Sequence, residues 1–411
     1  MKPKLNLLTE GVEIPRRKFA ATVVLTAGTL AWFFLLQFYF NSIFVNVVGE
    51  NDWVNFNMVL FYGFGAISAI IGSTISEKIS RRKLLASWIM LGALTTALMA
   101  VFHGTILSVF FSVLLGFSLG LGFPSSLAFL ADCATLKERA RVSGTIILVT
   151  LVAVFLTMAV MSILSFSITL VIFSLTVLRL SSFLALILEK CEREKGRQKP
   201  WSSILTYREF AYYIFPWMMF NIATGLRGWW SIPHLPEYES ARLVGSILFI
   251  VCAAIFGFMS GIVADYLGRK QPITLGMILM GVSFAMLGVA MSPEILLAYD
   301  IVSGMAWGFL LTVYLAVPGD LSFPSSKEKF YALGMVTPFI LFLFFSAIPE
   351  LFIISISPSV LSPFLSIIIF LSIIPILRAE ETLPKSKLQE RRMKKYVDKV
   401  GKLVQESKKS K

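Results

Sequence analysis

Between two long apolar runs lies Gly261-Ile-Val-Ala-Asp265-Tyr-Leu-Gly268-Arg269-Lys270, a short stretch with one carboxylate, two cations and two glycines. These residue types suit charge-assisted hydrogen bonds and a tight chain reversal. They do not suit a nucleotide phosphate, because Gly268-Arg269-Lys270 lacks the spacing of a phosphate-binding loop and its following Ser or Thr. A shift of 188 positions brings a weaker copy, Ser73-Thr-Ile-Ser-Glu77-Lys78-Ile-Ser80-Arg81-Arg82, onto this stretch. Glu77 then falls on Asp265, Arg81 on Arg269 and Arg82 on Lys270. The same shift puts Asp132 on Asp320, Arg139 on Lys327, and Gly116 and Gly120 on Gly304 and Gly308. One offset that matches acids, bases and glycines marks a tandem repeat of two large halves.

A second set of charges sits inside the apolar runs: Arg179, Arg227, Asp300 and Glu350. Charge within a membrane is costly and defaults to a functional reading. Arg227 and Asp300 fall at similar depth, toward one end of their runs, with Glu350 near the same level. They could form a gate, a proton-loading pair or a static salt bridge, and these alternatives stay open. Arg179 is expected to snorkel toward the membrane surface.

The elements that position these charges follow from composition. The 411 residues are 56% hydrophobic and only 15% charged, against roughly 25% charged in soluble domains. A polytopic membrane protein is the reading that remains. At about 20 apolar residues per spanning helix, twelve spans are expected near 19–47, 54–75, 84–102, 105–131, 142–163, 166–188, 209–231, 241–264, 271–291, 294–319, 330–352 and 357–377. The domains expected are an N-terminal tail (1–18), a first six-helix bundle (19–188), a polar linker (189–208), a second six-helix bundle (209–377) and a basic tail (378–411). With both termini in the cytosol, all but three of the 37 Lys and Arg residues (Arg179, Arg227 and Arg242) fall on the inner side. This is the distribution that sets membrane topology. The net charge of +13 is therefore read as topology, with no nucleic-acid partner expected. Tail residues 393–404 show helical apolar spacing and suit an amphipathic helix on an anionic leaflet as well as a solvated tail. Cys133, Cys191 and Cys252 are far apart, and His103 and His234 fall in short loops, so neither a metal site nor a disulfide framework is expected.

Gly261-x-Val-Ala-Asp265-x-x-Gly268-Arg269-Lys270 is similar to the loop signature of the major facilitator superfamily. Twelve spans, the half-to-half repeat and the long middle linker also resemble that family. The first copy departs from the signature, with Ser73 and Ser80 in place of glycines and Glu77 in place of Asp. The resemblance implies an all-α membrane fold of two pseudo-symmetric six-helix bundles. It implies that Glu77 lies near the start of span 11 and Arg81 with Asp132, and that Asp265 lies near the start of span 5 and Arg269 with Asp320. With Gly261, Gly268 and Lys270, these residues would gate the cytosolic side. It implies also that spans 1, 4, 7 and 10 line the cavity. The candidates there are Gln37, Tyr39 and Asn41; Ser112, Ser118, Ser125 and Ser126; Asn221 and Arg227; and Asp300, Trp307, Thr312 and Tyr314.

The function expected is secondary transport of a small organic solute by alternating access, with Asp300 or Glu350 as the route of any proton coupling. An uncoupled facilitator of an anionic metabolite, anchored by Arg227, is the second reading, and a non-transporting receptor on the same fold is the third. Span 5 contains Gly144 and no proline, which counts against the drug/proton antiporters of the family. The chain is expected to be no enzyme, to need no cofactor or metal, and to work as a monomer in the cell membrane, with the bilayer, its solute and protons as partners.

Overall fold

The computed structural model describes residues 14–48, 53–164, 166–190, 192–193, 196, 198–227, 236–347 and 358–383. Every regular element among them is a helix. The first half contains α1 (Arg16–Val48), α2 (Val54–Ile75), α3 (Arg81–Leu98), α4 (Thr105–Gly120), α5 (Phe123–Cys133), α6 (Arg139–Ile163), α7 (Ile168–Ser181) and α8 (Phe183–Leu188). A short α9 (Trp201–Leu205) precedes the second half. That half contains α10 (Arg208–Arg227), α11 (Pro236–Leu267), α12 (Lys270–Val289), α13 (Pro293–Asp320), α14 (Lys327–Ala347), α15 (Pro358–Leu371) and α16 (Ile373–Arg378). The pairs α4–α5, α7–α8 and α15–α16 each continue as one span, which gives twelve spans in two six-helix bundles. Ten of them are long and apolar enough to cross a membrane on composition alone. The other two are α3, which opens on Arg81, Arg82 and Lys83, and α10, which has an Arg at each end.

The interruption of the fourth span at Leu121–Gly122 has a local cause. Pro124 has no N–H to continue the helical ladder, and a side chain at Gly122 would run into the Trp88 ring. The linker also holds a helix that its polar composition hid. Ile204 of α9 is fully buried beside Phe210 and Phe330, which docks α9 on the start of the second half.

The repeat seen in the sequence is a packing repeat. Side chains at Gly116 and Gly120 of α4 would strike the backbone of α2, and side chains at Gly304 and Gly308 of α13 would strike that of α11. Small residues at a four-residue spacing let two backbones approach closely.

Arg179 corrects the expectation of a snorkelling cation. It is 0% exposed, in the interior of the first bundle. Its guanidinium lies 4.0 Å from the Trp88 ring centroid and 4.8 Å from that of Trp32. It donates to Thr29 Oγ1 (3.2 Å), the Trp88 carbonyl (3.3 Å) and the Ser118 carbonyl (3.0 Å). Two indole faces and three oxygens supply the stabilisation that a headgroup would have supplied. The basic residue thus ties α1, α3, α4 and α7 together.

Candidate functional site

The two bundles meet differently at their two ends. At the end that carries the repeated motif they are joined by buried ion pairs. Toward the other end α6 and α11 diverge around a cavity.

Asp265 is the centre of one seam. Its carboxylate accepts from the backbone N–H of Ala140 (3.2 Å) and of Arg141 (2.9 Å), both in the first turn of α6. Those N–H groups have no partner within their own helix, and the helix N-terminus favours an anion. Asp265 also pairs with Arg269 (2.7 Å) and Arg141 (3.1 Å). Asp320, at the end of α13, holds Arg269 at 2.7 Å and Arg139 of the opposite half at 2.6 Å. Burial disfavours the charge on Arg269, but Asp320 and Asp265 outweigh it, and its pKa is raised above the ordinary guanidinium value. Gly268 turns the chain with φ +105°, a left-handed conformation that favours glycine. Glu381 then caps α12 by accepting from the N–H of Arg269 (2.7 Å) and of Lys270 (3.2 Å). Lys270 Nζ donates to the carbonyls of Leu377 (3.0 Å) and Ala379 (2.7 Å). A side chain at Gly261 would strike the Ala140 carbonyl, so this glycine sets how closely α11 approaches α6.

The second seam joins α2 to α14. Arg81 holds Asp132 at 2.6 Å, and Lys327 of the opposite half pairs with the same carboxylate. Glu77 is exposed near Lys329 of α14, at the expected end of span 11, and no hydrogen bond ties it there among the described residues. The buried acid of this seam is Glu328, which pairs with Arg81 and with Arg193 of the linker, each at 2.9 Å. Arg193 also donates to the Ser76 carbonyl, and Arg81 to that of Glu192 (3.2 Å). The linker therefore takes part in the closure.

The cavity has a volume of about 320 Å³, at the small end of the roughly 300–1,000 Å³ typical of small-molecule sites. Its walls are Phe34 and Phe38 of α1; Ile147, Leu151, Val154 and Met158 of α6; Ser246, Phe249, Ile250 and Ala253 of α11; and Trp307, Gly308 and Leu311 of α13. Two charged residues enter it, Arg227 and Asp300. They pair at 3.3 Å, with the Arg side chain 34% exposed and the Asp side chain 8% exposed. The guanidinium also lies 4.8 Å from the centroid of the Tyr299 ring.

Arg227, Asp300 and Trp307 are the cavity candidates that line this space. The others lie elsewhere. Gln37 accepts from the Tyr62 hydroxyl at an aromatic contact between the halves, where Phe33 and Tyr62 meet Phe339 and Phe342. Asn221 is buried and donates to the Trp217 carbonyl of its own helix (2.7 Å). Tyr314 is buried and donates to the Tyr213 carbonyl (2.9 Å), bracing α13 on α10. Thr312 donates to the Gly257 carbonyl (3.0 Å), and Ser112 to Asn57 Oδ1 (3.0 Å). Asn41 is exposed, while Tyr39 is half-buried and contacts Phe166. Glu350, His234 and the amphipathic tail lie outside the described residues.

Sequence reasoning missed three parts of the site. It did not pair Arg139 with Asp320 or Lys327 with Asp132 across the halves, although the 188-residue offset had already matched all four. It passed over Glu328. It also expected spans 1, 4, 7 and 10 to line the cavity, whereas α6 and α11 supply most of its apolar wall.

Twelve spans in two bundles, closed at one end by ion pairs and hollow toward the other, define a multi-pass membrane protein with the fold of a secondary transporter. Residues 18–242, more than half of the chain, match the Major Facilitator Superfamily, and the protein belongs to that family. Members of it are transporters that move small solutes, some of them with protons. No curated protein matches the sequence. Among solved structures, the proton:xylose symporter XylE bound to 6-bromo-6-deoxy-D-glucose is similar at 14% identity and a TM-score of 0.67, over 89% of this chain and 96% of that one. A bacterial homologue of the iron transporter ferroportin in an outward-facing state is similar at 13% identity and 0.66, over 88% and 98%. The human organic anion transporter MFSD10 is similar at 14% and 0.56, over 88% and 99%.

Proposed function

We propose that this protein carries a small organic solute across the cell membrane by alternating access, working as a monomer with both termini in the cytosol. The observation that carries the reading is the contrast between the two ends. One is sealed by buried ion pairs that cross between the halves, and the other holds a cavity with a single charged pair among the described residues. In this orientation the motif residues Glu77, Arg81, Asp132, Gly261, Asp265, Gly268, Arg269, Lys270 and Asp320 belong to the cytosolic gate, and the structure is closed on that side. The solute sits against Arg227, Asp300 and Trp307. Asp300 is the proton carrier, since its partner can leave it and it borders the cavity.

The test uses proteoliposomes loaded with a pH dye and offered pooled sugars, organic anions and amphiphilic drugs. The expected result is a lumenal pH change that one pool triggers and that Asp300→Asn abolishes. Uptake of labelled solute with no pH change would remove the coupling and leave a uniporter. No uptake from any pool would remove the transport reading.

A further inference from the structure

The charged pair in the cavity is unequal, and the inequality bears on the cargo. Asp300 is held from above by α11, where a side chain at Gly245 would strike its carboxylate, and its side chain is 8% exposed. Arg227 is 34% exposed. A solute entering the cavity therefore meets a guanidinium before it meets a carboxylate. The bond between the two is long at 3.3 Å, against about 2.7–2.9 Å for a firm charge-assisted pair. A stronger acceptor can displace it.

The rest of the lining is apolar and aromatic. Leu151 and Val154 of α6 face Phe249 and Ile250 of α11, with Trp307 beside them. These surfaces suit a hydrocarbon or aromatic body, and they offer few partners for the many hydroxyls of a sugar. The opposite faces of the same two helices carry exposed large apolar side chains such as Val152 and Leu156 on α6 and Val251 and Ile255 on α11.

We infer that the cargo is an amphipathic organic monoanion, whose carboxylate or equivalent head binds Arg227 and whose apolar body lies between α6 and α11. This rests on the transport reading above and names its substrate class. Arg227 has the planar fork of donors that a carboxylate fits. Asp300 is then the competitor that the anion displaces, and it recaptures Arg227 when the anion leaves.

The test is equilibrium binding, by calorimetry, to the full chain in nanodiscs of zwitterionic lipid. The probes are phenylacetate, 4-phenylbutyrate and 6-phenylhexanoate, with the alcohol and the amine of each skeleton. Wild type should bind each acid at least tenfold more tightly than its alcohol, and the amines most weakly. Affinity should rise about threefold to fourfold per added methylene. Arg227→Gln should abolish the preference for acid over alcohol and keep the rise with chain length, whereas Arg227→Lys should keep part of the preference. Leu151→Ser should do the reverse of Arg227→Gln. Asp300→Asn should tighten the acids. Amines or alcohols binding as tightly as acids, or affinity independent of chain length, would overturn the proposal, and neither outcome requires a variant. Failure here is separable from failure of transport. Acid binding without uptake removes the transport reading alone, whereas uptake of another solute with no acid bound removes this one alone.

Discussion

The two seams between the bundles occupy equivalent positions in the repeat, yet their charges are arranged in opposite senses. In the α6–α11 seam the motif acid Asp265 reaches across to the first turn of α6. In the α2–α14 seam the equivalent acid, Glu77, stays exposed, and the buried acid comes from the other side, as Glu328 of α14. The 188-residue offset places Glu328 opposite Ala140 and Asp265 opposite Glu77. In each seam the buried acid in or replacing the motif position comes from the second half. Between them the shared pattern is kept, with an acid at the end of span 4 or 10 held by a motif Arg and by a cation of the opposite half.

The packing differs in step with the charges. α2 and α14 pack through Gly65 against Phe339 and Gly63 against Leu343, and Arg81 at the start of α3 joins Glu328 at the motif end. α6 and α11 pack closely through Ala140–Gly261, Gly144–Gly257 and Ile147–Gly257, and farther from the motif end they line the cavity. In the α6–α11 seam a single carboxylate, Asp265, holds two guanidinium groups and two backbone N–H groups of the opposite half's helix start. Asp265→Asn should therefore have the largest effect. It leaves the buried Arg269 guanidinium, the half-buried Arg141 guanidinium and a helix N-terminus short of a negative charge. Breaking a buried pair costs about 3–5 kcal/mol, so even the low end shifts the closed-to-open ratio by roughly 100-fold. Spin labels at the exposed positions Arg82 and Thr206, in a background without native cysteines, would report it as a new longer-distance population. An unchanged distance distribution would mean that the α6–α11 ion pairs do not hold the closure.

Glu328→Gln should have a smaller effect. Arg81 keeps Asp132 at 2.6 Å, and the apolar contacts of α2 with α14 persist above it. About 1.5–3 kcal/mol is expected, the range for a hydrogen bond to a charged group. The same labels should show a minor open population. A shift as large as that of Asp265→Asn would mean that the two seams carry equal loads. The difference should also appear in Gly261→Ala and Ser73→Ala, which are equivalent positions. The first forces a methyl group into the Ala140 carbonyl, an overpacking cost of about 1–3 kcal/mol. The second removes only a hydroxyl that donates within its own helix. Thermal unfolding in detergent should separate them, with Gly261→Ala melting several degrees lower.

Much of this was legible in the sequence, and the reasons are physical. The apolar runs and the glycine faces follow from residue type, the bilayer and the repeat, and the Arg81–Asp132 and Arg269–Asp320 pairs follow from the resemblance of the motif to its family. What could not be read depended on direction. Glu328 is one charged residue among several at the start of a span, and nothing local says that it points into the seam rather than to water. Asn221 and Tyr314 are polar residues on cavity-facing spans, but each is turned to a backbone carbonyl nearby. Arg179 looked like a surface cation because its partners, Trp32, Trp88 and the Ser118 carbonyl, come from three distant parts of the chain.

The smallest effect is expected from the residue that the repeat marked most clearly. Glu77 occupies the position of Asp265, yet it is exposed, with Lys329 near enough to feel its charge. An exposed carboxylate contributes little because water and salt screen it. Glu77→Gln should change the closed-to-open ratio less than twofold, where Asp265→Asn changes it by roughly 100-fold. The informative comparison is with the double variant, Glu77→Gln together with Glu328→Gln. If Glu328 has taken over the role of the motif acid, the double variant should match Glu328→Gln alone. If the closure instead fails only when both are neutral, Glu77 is a reserve acid that enters the seam once Glu328 is lost, and the contrast between the two halves is one of occupancy rather than of design.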